Sequence, residues 1–301
     1  MKDAKQGTSH EVAHWANARL FPVHKLTPFS ASPNDAHNAP LAALNPRRYD
    51  RLRSQLHTSI REGDAIIQPF RDDLRAIGFD LDWTLSYYPL SLQQVWQEAA
   101  SRCSFPVALL GNLDSLARRY NELWLDNERA ASSKEALRLH ITTSLLDELG
   151  TGNPEIALKL AQAFGDIRNE TGIAAYPGVA ELLADLKKEY KLALYTNGPS
   201  DIQWEKIRAL GFDQLMDVIL VAGDIGIYKP DLRGFDLLLE QLDESAKHVL
   251  FVGDNYDADI AGAHNAGMYT AWVTDTEGTA IDSVQPTIIL SEASQLREVL
   301  L

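Results

Sequence analysis

The stretch Ile77-Gly78-Phe79-Asp80-Leu81-Asp82-Trp83-Thr84-Leu85 decides how the rest of the chain is read. A short apolar run ends in two aspartates one residue apart, and a threonine follows. Side chains on a strand alternate with period two, so Asp80 and Asp82 are expected on one face. Carboxylates at the carboxyl end of a strand lie where open α/β sheets bind ligands. There they suit a divalent cation and a nucleophilic carboxylate acting together. Asp-x-Asp also occurs in calcium loops and ordinary turns, so the pattern does not by itself name an activity.

On both sides of this stretch the chain changes character. Residues 1–45 are rich in Pro, Asn, Ser and Ala and hold His10, His14, His24 and His37, with no sustained periodicity. They are expected to be a flexible or loosely packed extension, and the histidine spacing matches no metal-ligand pattern. Residues 46–62 predict a helix, with Pro46 at its first position and Tyr49, Leu52, Leu56 and Ile60 on one stripe. Arg75–Phe79 predicts the first strand. Residues 90–170 are helical by pattern, broken at Gly150-Thr151-Gly152-Asn153-Pro154. Alternation then resumes, with strands expected at 192–195, 218–221, 249–252, 270–273 and 287–290. Helices are expected at 177–189, 201–210, 232–242, 257–266 and after Ser291. Apolar runs of four separated by helices predict a doubly wound α/β fold around a parallel sheet buried on both faces. The helical block inserted after the first strand reads as a separate lid.

Composition narrows the function. The chain has 301 residues, 45% hydrophobic and 23% charged, enough for two domains of ordinary globular type. Its formal charge of −14 argues against nucleic acid as the main partner. No apolar run approaches the ~20 residues that span a bilayer, and residues 1–10 lack the apolar core of a secretory signal. Neither a nucleic-acid nor a membrane partner is expected. Cys103 is the only cysteine, so no internal disulfide can form, and a cytoplasmic location is expected.

Three further polar clusters fall at predicted strand ends. Tyr195-Thr196-Asn197-Gly198 offers a hydroxyl and a tight turn ahead of a helix N-terminus, which suits a phosphate oxygen. Lys229, in Gly226-Ile227-Tyr228-Lys229-Pro230-Asp231, places an ammonium near the strand ends. Val252-Gly253-Asp254-Asn255-Tyr256-Asp257-Ala258-Asp259 crowds acidic groups that repel unless a cation lies among them.

These four elements, in this order, resemble the haloacid dehalogenase superfamily over about residues 75–301, in its members with a helical cap between the first two motifs. The resemblance divides the chain into an N-terminal extension at 1–70, a catalytic core at 71–85 and 175–301, and a helical cap at 86–174. It implies a Mg²⁺-dependent phosphatase acting on a small phosphorylated metabolite. Asp80 would be the nucleophile and Asp82 the acid and base. Asp80, Asp254 and the backbone carbonyl of Asp82 would hold Mg²⁺, with Asp259 and Thr84 in support. Thr196, Asn197 and Lys229 would bind the phosphoryl oxygens, with Lys229 also pairing with Asp80. Asp82 argues against carbon–halogen cleavage, because the dehalogenase members lack an acid there. Trp83 departs from the glycine commonest at its position, and it is costly if the backbone there needs a positive φ. Its indole is expected to line the floor of the cap interface or to pack beside the site. Two alternatives stay open: a phosphomutase of the same superfamily, and a non-catalytic binding protein on this fold. The oligomeric state and the identity of the metabolite are left undefined.

Overall fold

The computed structural model describes residues 71–131, 133–274 and 284–301. The expectations for residues 1–70, including the helix at 46–62, lie outside the described residues.

The main sheet has six strands: β1 (Ala76–Phe79), β4 (Lys191–Thr196), β5 (Val218–Val221), β6 (Val249–Gly253), β7 (Tyr269–Val273) and β8 (Ile288–Leu290). They run in the order β5-β4-β1-β6-β7-β8, and every neighbouring pair is parallel. Strand alternation splits the apolar residues between two layers. Ile77, Phe79, Leu192, Leu194, Leu250 and Val252 face one hydrophobic cluster. Ala76, Ala193, Tyr195, Val249 and Phe251 face the other. A sheet buried on both faces needs apolar residues at every position, and this accounts for the unbroken runs in the sequence.

Helices cover each layer. Val179, Leu182, Leu183 and Leu186 of the Val179–Leu186 helix join the first cluster, together with Leu296, Val299 and Leu300 at the C-terminus. Phe235, Leu238 and Leu242 of Leu232–Leu242 close the second.

Two short strands are absent from the sequence reading. β2 (Ser86–Tyr87) and β3 (Ala174–Ala175) pair antiparallel. The chain leaves the sheet along one and returns along the other, and the rings of Tyr87 and Tyr176 stack beside them at 4.9 Å. Two residues are too few for any period to show.

Between them lie four helices: α1 (Leu92–Arg102), α2 (Leu113–Asn127), α3 (Lys134–Glu148) and α4 (Pro154–Thr171). Each has a side-chain N-cap, from Ser91, Asn112, Ser133 and Asn153, and Pro154 opens the last. Trp96, Tyr120, Leu137, Ile141, Leu160 and Phe164 build a core that belongs to these helices alone. Among the described residues, no helix is long and apolar enough to cross a membrane.

The expected regular helix at 257–266 differs in form. Residues Tyr256–Ala261 make a π-helical turn, followed by a short α-helix at Gly262–Asn265. The cause is local: Asn255 Oδ1 accepts from the N–H of Ala258, while the Asp259 carboxylate folds back to accept from the N–H of Asn255. A 3.6-residue pattern cannot register that turn.

Candidate active site

β1 stops at Phe79, so the aspartates that follow it are not on a strand. Asp80 still continues the ladder, donating its N–H to Val252 O at 2.9 Å. Beyond it the chain turns, and Asp80 and Asp82 come to the same cavity without strand alternation placing them there. Their carboxylates go to different partners, although both line one cavity of about 520 Å³.

Asp80 belongs to a buried cluster. Lys229 Nζ donates to Asp80 Oδ1 at 2.6 Å and to Asp259 Oδ1 at 2.7 Å. Oxygens of Asp80, Asp254 and Asp259 lie within 4.8 Å of one another. Lys229 is only 3% exposed and lies near the rings of Tyr195 and Phe251. Burial works against its charge, but Asp259 and Asp80 outweigh burial and hold the ammonium above its usual range. Burial pushes Asp80 up to about 7, with Asp259 adding to the rise and Lys229 opposing it. Asp254 is also pushed well above the usual carboxylate range, first by burial and then by Asp80 and Asp259. Thr84 Oγ1 donates to Asp254 Oδ1 across a long 3.4 Å.

Asp82 is held by residues absent from the sequence expectations. Lys206 Nζ lies 2.8 Å from both of its carboxylate oxygens. Gln203 Nε2 donates to Asp82 Oδ2 at 3.0 Å and to Thr196 Oγ1 at 2.5 Å. Both residues are buried on the helix Ser200–Ala209, one turn apart, on the face that carries Ile207. The available signal was two polar residues, three apart, interrupting the inward face of the helix after Thr196. Without the position of Asp82 that signal reads as surface.

Thr196 is buried at the end of β4, with its hydroxyl on Gln203. Asn197 does something other than face the cavity with its amide. Its Nδ2 donates to Lys229 O at 3.1 Å and its Oδ1 accepts from the Lys229 N–H at 2.8 Å. It ties the end of β4 to the turn that carries Lys229.

Trp83 has φ +64°, the left-handed region that is strained for a bulky side chain. Trp83 is 37% exposed and lines the cavity. Of the aromatic residues near the start of the helical segment, Tyr88 lines the cavity while Trp96 is core. Burial pushes the Cys103 thiol up, away from nucleophile chemistry.

Carboxylates clustered around an ammonium at the ends of β1 and β6 can present one oxygen nucleophile and hold a hard cation. Residues 74–267 match the haloacid dehalogenase-like hydrolase family. The chain belongs to the haloacid dehalogenase-like hydrolases. Within that family it is 35% identical over 162 residues to the phosphoserine phosphatase of Thermus thermophilus, covering 54% of this chain and 63% of the relative. The chain thus spans less than two thirds of that relative's length. It is 31% identical over 207 residues to the ribulose-1,5-bisphosphate 5-phosphatase of Halopiger xanaduensis, covering 67% of this chain and 85% of the relative. The solved structure of the HAD-hydrolase YfnB of Bacillus subtilis, bound to magnesium, is similar with a TM-score of 0.57 and 25% identity. That likeness covers 75% of this chain and 98% of YfnB. Solved haloacid dehalogenase-like hydrolases of similar fold include a 2-haloacid dehalogenase as well as a phosphatase.

Proposed function

We propose that this chain is a Mg²⁺-dependent phosphomonoester hydrolase that works on a small phosphorylated metabolite through an aspartyl-phosphate. The observation that carries the reading is a division of labour between two carboxylates on one cavity. Asp80 sits in the buried cluster with Lys229, and Asp82 sits apart on Lys206 and Gln203. A dehalogenation needs the nucleophile but no acid for a halide leaving group. The phosphatase names of the relatives point the same way.

The donor set fits Mg²⁺. Three carboxylates offer hard oxygen ligands, and Lys229 alone does not offset their charge. Asp80 and Asp254 would hold the ion with the Asp82 carbonyl, Asp259 and Thr84 supporting. When bound, the ion neutralises charge on the phosphoryl oxygens and on Asp80.

Asp80 attacks phosphorus, the bond from phosphorus to the ester oxygen breaks, and Asp82 gives that oxygen a proton. A water then attacks the aspartyl-phosphate, Asp82 takes a proton from it, and the bond from phosphorus to Asp80 breaks to release phosphate. Lys229 and the Thr196 end of β4 hold the phosphoryl oxygens, and Asn197 holds Lys229. Gln203 and Lys206 position Asp82. Residues 86–174 serve as a cap over the core formed by 71–85 and 175–301, excluding water from the reaction. A lone cysteine suits a reducing, cytoplasmic setting.

Phosphate release from an aryl phosphate and a panel of phosphorylated metabolites tests this reading. Mg²⁺-dependent turnover, lost in Asp80→Asn, is expected. Turnover that survives Asp80→Asn or ignores Mg²⁺ overturns the mechanism. Ester isomerisation with no net phosphate release shifts the assignment to a phosphomutase.

A further inference from the structure

The helical segment contributes two guanidiniums to the same cavity, Arg138 of α3 and Arg168 of α4. Both lie over the ring of Phe164, with Cζ at 5.6 Å and 5.7 Å from its centroid. Arg168 is fixed in place. Its Nη1 donates to Leu90 O at 2.7 Å, and its Cζ stands 4.2 Å from the centre of the Tyr88 ring. Arg138 has a seat in α4 made by a glycine. A Cβ on Gly165 would stand 2.4 Å from Arg138 Nη1. A glycine within a helix is destabilising, so the space it leaves calls for a use.

The pair lacks counter-charge. Arg138 Nε is buried with no hydrogen-bond partner among the described residues. Burial pushes the Arg168 guanidinium below its ordinary value, and Arg138 pushes it the same way. No carboxylate among the described residues pairs with either one. The chain has 42 acidic residues against 28 basic ones, so carboxylates were not in short supply. Two like charges held together in a concave, partly dry site are costly unless an anion joins them. A guanidinium fork matches a carboxylate or phosphate in two-point geometry.

We propose that Arg138 and Arg168 form a second anion subsite, and that the substrate is a short phosphate ester carrying a carboxylate or a second phosphate at its other end. This rests on the phosphatase reading above. Contacts in series set the scale. The Arg168 guanidinium lies 4.2 Å from the Tyr88 ring, that ring 5.3 Å from Lys206 Nζ, and Lys206 2.8 Å from Asp82. The three legs bound the separation from above, and the subsite and the acid line one cavity. A neutral or cationic far end gives the guanidiniums nothing to bind.

The test uses three phosphate esters of equal carbon length, ending in a hydroxyl, a carboxylate or a second phosphate, with an aryl phosphate as control. In wild type, kcat/KM for at least one anionic ester should exceed that of the hydroxyl ester roughly 100-fold, the scale of charge-assisted hydrogen bonds to a guanidinium. Which anionic ester wins names the group. Arg138→Met should bring that ratio close to one, and Gly165→Ala, which displaces the guanidinium without removing it, should lower the ratio in part. Melting temperatures of both variants separate a lost subsite from a lost fold. Aryl phosphate turnover together with a wild-type ratio near one overturns the subsite and leaves the phosphatase reading standing. If no ester is hydrolysed, calorimetric titration with 3-phosphonopropionate decides. Binding weakened at least tenfold by Arg138→Met supports the subsite, and equal binding by both proteins overturns it.

Discussion

Lys206 meets both oxygens of Asp82 at 2.8 Å, and burial raises the importance of that pair. Burial disfavours the ammonium, yet Asp82 more than compensates, and Lys206 is held above the ordinary lysine range. Gln203 adds a second tether that reaches Thr196 as well. On the proposed mechanism, in which Asp82 is the acid, these two residues aim it. A carboxylate misplaced by about 1 Å loses on the order of 100-fold in rate. Lys206→Met should accordingly lower kcat roughly 10- to 100-fold for alkyl phosphates, whose leaving oxygen needs a proton. For an aryl phosphate, which leaves without one, the loss should be much smaller. Equal losses on both substrates would mean that Lys206 supports the fold and does not aim the acid.

The helix Ser200–Ala209 depends on what lies beneath its first turn. Gly223, in the short helix Ala222–Ile225 after β5, donates its N–H to Gly198 O at 3.1 Å. A Cβ at Gly223 would fall 2.4 Å from Ser200 N and 2.9 Å from Gly198 O, both main-chain atoms that cannot swing aside. Gly223→Ala should cost about 1–3 kcal/mol, typical of overpacking, and move the loop that joins Thr196 to Gln203. The expected readout is a melting temperature lower by roughly 2–4 °C per kcal/mol, with phosphate turnover reduced alongside it. Unchanged turnover in a destabilised protein would free that loop from any part in catalysis. The same elements show what the chain discloses before it folds. Val218–Val221 and Leu232–Leu242 were legible to the residue, because a doubly buried strand and an amphipathic helix each have a pattern. Asp80 and Asp254 were legible because each follows an apolar run, and Lys229 because it stands in a Lys-Pro turn just before a helix. Gln203, Lys206, Arg138 and Arg168 were not, since their importance comes from contacts across more than a hundred residues or between helices. The β2–β3 pair and the π-turn were illegible for a simpler reason, as neither is long enough to set a period.

In the molecule as a whole, the helical segment meets the sheet domain at the shared cavity and through polar contacts beside it. The Lys134 N–H donates to Asp201 at 3.2 Å, the Lys134 ammonium pairs with Glu205, and Arg129 stacks on Tyr228 at 4.4 Å. These are polar and partly exposed, so each is weak. The cohesion of the native state lies in the two clusters that flank the sheet and the one among the helices, while the site between sheet and helices carries unfavourable charge. Asp80, Asp254 and Asp259 are gathered within 4.8 Å, and among the described residues Lys229 is the one cation paired with them. Burial and mutual repulsion make Asp80 and Asp254 resist ionisation. If this cluster is the cation site proposed above, it is held at a cost in stability, and that cost is measurable. Asp254→Asn keeps an oxygen for Thr84 to meet but removes one charge. The metal-free variant should melt higher than metal-free wild type, by about 2–4 °C if the relief is near 1 kcal/mol. Magnesium should then reverse the order. At a hundred times its dissociation constant it adds about 2.7 kcal/mol to wild type, whereas Asp254→Asn, short of a ligand, should gain little. Thermal melts of both proteins with and without Mg²⁺ read all four quantities. If Asp254→Asn melts lower than wild type without metal, the carboxylates are not in conflict, and Lys229 with the surrounding dipoles is enough to hold them together.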